Sequence, residues 1–88
     1  MENTPSLNVQ DFLEYLVKSI VSDSSSVLIE RNMNSFDETY IIHVDPHDMG
    51  ILIGKGGKNI NAIRNLVSIK STPNRIYVHV AEQEHITA

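Results

Sequence analysis

The residues best placed to do chemistry are Gly54-Lys55-Gly56-Gly57-Lys58, three glycines in four positions with two lysines among them. Glycines at this density allow a turn too tight for side chains, and they leave backbone N–H groups bare. Bare N–H groups with ammonium groups beside them suit an anion. The surroundings agree. Residues 49–81 hold no aspartate or glutamate but five of the seven lysines and arginines: Lys55, Lys58, Arg64, Lys70 and Arg75. Residues 1–48 carry nine carboxylates against Lys18 and Arg31, and two more lie in residues 82–88, so a net charge of −4 conceals one positive segment. Clustered charge says more about an anionic partner than the mean does.

Three glycine motifs compete for this turn. A phosphate-binding P-loop needs G-x-x-x-x-G-K-[ST]; here Asn59 follows Gly57-Lys58 and Leu52 stands five before Gly57, so it fails. A dinucleotide fingerprint from Gly54 needs glycine at Asn59 and fails too. The third is G-x-x-G between two helices, which clamps the backbone of about four unpaired nucleotides. That spacing fits.

Other chemistry is harder to place. There is no cysteine, hence no disulfide framework and no thiolate metal site. His43 and His47 are four apart, but Pro46 stands between them, which spoils the helical spacing of a metal pair. Tyr77 and His79 share a strand face and could stack bases. No Ser-His-Asp arrangement or carboxylate pair is readable from spacing, and 88 residues leave little room for an enclosed active site. The expectation is a non-catalytic protein with no metal and no cofactor. No apolar run is long enough to cross a bilayer and no export signal opens the chain, so a cytoplasmic location is expected.

The elements around the turn follow from periodicity. Val9, Phe12, Leu13, Leu16, Val17, Ile20 and Val21 make one apolar stripe of a helix, with Asn8 as N-cap. Val27 to Arg31 reads as a short strand, residues 32–35 as a turn, and Glu38 to Val44 as a second strand with Tyr40, Ile42 and Val44 on one face. Asp45-Pro46 opens a short helix that Gly54 ends. A further helix runs from about Lys58 to Ile69, burying Ile60, Ile63, Leu66 and Val67. Residues 71–74 break it, and Arg75 to Val80 alternates as the last strand. The order is α-β-β-α-α-β, an α+β domain whose three-stranded sheet carries its helices on one face. An N-terminal extension of residues 1–8 and a polar tail of residues 82–88 flank the domain at 9–81.

The segment Leu52-Ile53-Gly54-Lys55-Gly56-Gly57-Lys58-Asn59-Ile60 resembles the KH signature: an aliphatic pair, G-x-x-G, and an aliphatic residue three positions on. The element order is that of the type II, prokaryotic KH fold. Phe12 to Ile20, Val44-Asp45-Pro46-His47-Asp48-Met49-Gly50 and Ala62-Ile63-Arg64 extend the likeness over residues 9–81, to the small single-KH bacterial proteins of the KhpA type. Ile51 departs from it, standing where such proteins often carry a lysine or another polar residue.

That resemblance implies roles. Gly54 to Gly57 approach a sugar-phosphate backbone, Lys55 and Lys58 supply charge, and Ile53, Ile60 and Ile63 floor the groove beneath the bases. The last strand and the loop at 71–74 form the opposite wall, with Arg75 and Tyr77 as edge contacts, while Arg64 and Lys70 extend the positive face. It further implies short single-stranded RNA as ligand, a homodimer, a larger Jag-type KH protein as partner, and work as a post-transcriptional regulator or RNA chaperone tied to cell shape. The competing expectation is a protein-interaction subunit, favoured by the acidic first half and by Ile51, in which RNA contact is secondary.

Overall fold

A computed structural model of the chain describes residues 8–70 and 74–81. The first helix, α1 (Val9–Ile20), starts where the Asn8 side chain accepts from the backbone N–H of Asp11 at 2.8 Å. Its stripe divides by depth. Val9, Leu13 and Val17 on the helix and Val21 at its end are buried, while Phe12, Leu16 and Ile20 lie half-buried along the margin.

Strands β1 (Leu28–Met33) and β2 (Asp37–His43) pair antiparallel from Leu28 opposite His43 to Met33 opposite Glu38. The turn expected at 32–35 therefore lies further on, and β1 is longer than its apolar half implied. Asn34 explains the shift: its side-chain oxygen accepts from the N–H groups of Phe36 and Asp37, at 2.9 and 2.8 Å, and closes the turn there. Along β2 the alternation is strict, with Glu38, Tyr40 and Ile42 buried against the helices.

After β2, Asp45 caps a single 3-10 turn (Pro46–Asp48) by accepting from the N–H of His47 at 2.9 Å. The turn leads into α2 (Met49–Ile53). A second 3-10 turn (Lys55–Gly57) joins it to α3 (Lys58–Ser68). Strand β3 (Arg75–Val80) then pairs parallel to β2, so the sheet order is β1-β2-β3 and β3 is an edge. Leu52, Ile60, Ile63 and Val67 from α2 and α3 meet Leu13 and Val17 of α1 over Ile29, Tyr40, Ile42 and Val78 of the sheet. This is the expected α+β arrangement, with three helices on one face of three strands. Residues 1–7 of the expected extension (1–8), the tail (82–88) and most of the 71–74 loop lie outside the described residues.

Candidate nucleic-acid interface

The glycine turn is built by backbone geometry. Gly54 adopts φ 78°, ψ 167°, a region essentially reserved for glycine. A Cβ there would stand 2.8 Å from both the backbone nitrogen and the side chain of Asn59. Gly56 also has positive φ, 63°, but a Cβ on it would meet open space. The two glycines thus do different work: Gly54 lets α3 begin against α2, and Gly56 keeps the outer surface of the turn low. Asn59 completes the turn by donating its side-chain amide to the Ile51 carbonyl at 2.7 Å, satisfying an orphan carbonyl at the end of α2.

Lys55 and Lys58 are exposed on this turn, and Lys58 is the first residue of α3. Both ammonium groups therefore stand beside the positive end of a helix, where an anion is favoured. Beyond the turn, a cleft of about 300 Å³ runs between α3 and β3, lined by Arg64, Val67, Ser68, Ile76, Tyr77 and His79. Arg64 crosses it. Its Nε donates to the Val78 carbonyl at 3.0 Å, and its Nη1 donates to Asn61 Oδ1 at 3.1 Å.

The other expected site residues fall in three places. Ile53 is half-buried beside the turn, as a groove wall requires, whereas Ile60 and Ile63 are 5% and 2% exposed and belong to the core. These two support the groove from beneath and offer a base no surface. Arg75 and Tyr77 sit on the sheet face opposite the helices, and they contact each other. That contact, reinforced by the nearby Asp37 carboxylate, raises the Arg75 guanidinium above its ordinary pKa. Lys70, beyond the end of α3, stands over the Phe12 ring of α1, 5.7 Å from its centroid. The structure thus keeps Ile53, Lys55 and Lys58 at the turn and Arg64 in the cleft, leaves Ile60 and Ile63 in the core, and sets Arg75 and Tyr77 on the other face of the sheet.

Two supports carried no sequence signal. Asp48 is 3% exposed and takes its hydrogen bonds from Ser22 and Asp23, about 25 residues earlier. Glu38 is buried on β2, where it accepts from the Tyr40 hydroxyl at 2.7 Å and from the Asn74 amide at 3.1 Å.

Comparison with known proteins assigns the chain to a family. Residues 10–81 match the family model described as KhpA/KhpB, KH domain. The chain is 37% identical over 60 residues to the RNA-binding protein KhpA of Mycobacterium tuberculosis strain H37Rv, which covers 68% of this chain and 75% of that one. It is 33% identical over 78 residues to the RNA-binding protein KhpA of Chlamydia pneumoniae, covering 86% of this chain and all of the relative. The KhpA of Leifsonia xyli is 30% identical over 70 residues, covering 80% and 92% of the two chains. No solved structure matches the chain at a comparable level.

Proposed function

The chain belongs to the KhpA/KhpB family of KH domains, and on that footing we propose that it is a non-catalytic protein gripping short single-stranded RNA. The observation that carries the reading is the turn itself. Gly54–Gly57 makes a tight turn at the start of α3 whose outer surface Gly56 keeps low, the exposed Lys55 and Lys58 stand on it, and a cleft lies between the same helix and β3. Phosphates meet the turn and lysines, and unpaired bases lie along the cleft. The relatives' printed names as RNA-binding proteins support the same chemistry. On this reading the protein acts in the cytoplasm as a post-transcriptional regulator or RNA chaperone.

The test is fluorescence anisotropy with labelled single-stranded RNA, comparing the wild type with a variant carrying Lys55→Asp and Gly56→Asp. Both positions are exposed and Gly56 has room for a side chain, so the variant should fold. Binding should disappear. Unchanged affinity in the folded variant would overturn the proposal.

A second reading, assembly through protein contacts, has its own support. Ala62 and Leu66 on α3 and Ile69 at its C-cap lie at i, i+4 and i+7, all exposed, and Ile51 is half exposed on α2. We propose that this stripe joins two copies, or one copy to a larger KH partner. Two linked grooves would gain by effective concentration what one short groove lacks. Sedimentation of Leu66→Glu should show a lighter species than the wild type; equal mass for the two would remove the stripe from the interface.

A further inference from the structure

We propose that the cleft between α3 and β3 is a guanine-selective base pocket, and that Arg64 is the residue that sets the selection. The proposal rests on the RNA-binding reading above and goes beyond it to the base.

The argument begins with the edge strand. The N–H groups of Arg75 and Ala81 donate to the carbonyls of Phe36 and Ile42, so the odd-numbered residues of β3 bond to β2. In a parallel pair the alternate residues then turn their backbone groups outward, here Ile76, Val78 and Val80. An open edge of this kind offers both donors and acceptors to a base. At its middle, however, the Val78 carbonyl is already taken by Arg64 Nε at 3.0 Å.

Two consequences follow. The acceptor that would welcome the amino group of adenine or cytosine is withdrawn from the centre of the cleft. In its place stands a planar guanidinium moored at two points, by Val78 and by Asn61, so part of its rotamer entropy is lost before any ligand arrives. Three of its five N–H donors remain for a ligand. Beside it stands Ile76, half-buried on the helix side of β3, which offers apolar surface to the face of a base.

A pocket whose centre presents donors selects a base edge that presents acceptors. On its Hoogsteen edge guanine offers two side by side, O6 and N7, and the guanidinium fork matches them. Adenine sets an amino donor beside N7, facing the guanidinium with like polarity; uracil sets its N3–H between its two carbonyls, and cytosine, whose N3 and O2 also lie side by side, lacks the second ring of a purine that Ile76 would cover. An Arg64 that merely tied α3 to β3 would change the melting temperature and leave base preference alone.

The test uses labelled oligo(U) octamers with a central GG, AA, CC or UU, titrated by anisotropy against the wild type and Arg64→Lys. Lysine keeps the charge and loses the fork. The wild type should bind the GG octamer about fivefold or more tighter than the AA octamer, and Arg64→Lys should bring that ratio to about twofold or less. A third arm needs no variant: 7-deazaguanine, which lacks the N7 acceptor, replaces both guanines and should cost the wild type most of the same preference. Wild-type binding without preference for GG would overturn the guanine pocket while RNA binding stood, as would full affinity for the deaza octamer. Failure of the wild type to bind any octamer at low salt would overturn the RNA reading itself.

Discussion

Asp48 Oδ1 accepts from both the N–H and the hydroxyl of Ser22, at 3.0 and 2.8 Å, while its Oδ2 accepts from the N–H of Asp23 at 3.0 Å. One carboxylate thereby fastens the turn before α2 to the chain just after α1. The two segments are far apart in sequence, and the glycine turn hangs from the second of them. The bonds from the backbone of Ser22 and Asp23, then the Ser22 hydroxyl, hold the Asp48 carboxyl below its ordinary value of 3.8.

A stability profile against pH should expose this fastening. A depressed carboxylate pKa contributes stability above the unfolded value and loses it as pH falls through the folded one. Asp48→Asn, whose amide would face the Asp23 N–H as a second donor, should lower the melting temperature at pH 7. The gap to the wild type should persist down to about pH 4 and close in stronger acid, where the native residue is protonated too. A gap that stayed constant to pH 2 would show that charge is irrelevant there.

Gly54 and Gly56 should separate in urea melts. Gly54→Ala forces a Cβ into Asn59 from a backbone region reserved for glycine, and should cost about 2 kcal/mol or more. Gly56→Ala meets only the left-handed strain and should cost about 1 kcal/mol. Equal costs would mean that the Asn59 contact yields.

Core and groove isoleucines should also part company. Ile63→Ala removes a side chain 2% exposed and should cost about 2–4 kcal/mol, weakening RNA binding only as far as it unfolds the domain. Ile53→Ala should be milder in stability and harsher in RNA affinity at a temperature where both variants are folded.

Salt dependence measures the lysines. For single strands each phosphate contact contributes about 0.7 to the slope of log affinity against log salt. Lys55→Ala with Lys58→Ala should therefore flatten that slope by about 1.4. An unchanged slope would place the phosphates elsewhere.

Much of the fold was legible because its signals are local. Asn8, Asp45 and Gly54 begin and end elements by bonds made within a few residues, and the alternation in β2 and β3 names the buried face directly. The turn after β1 was misplaced because the polar residues Asn32 and Met33's neighbours read as loop, while a cross-strand register and the Asn34 side chain extend the strand. Ile60 and Ile63 show the limit of a motif: it marks their aliphatic character and cannot say on which side of the helix the core lies.

The sequence by itself determined the glycine turn and its charge, since glycine spacing, the absence of carboxylates from 49–81 and the flanking lysines are all properties of consecutive residues. Only the tertiary structure decided what the turn is fastened to and what faces it. Asp48 reaching Ser22 and Arg64 reaching Val78 join residues 26 and 14 positions apart. Such pairings depend on how the helices seat on the sheet, through the packing of a shared core that no single segment encodes.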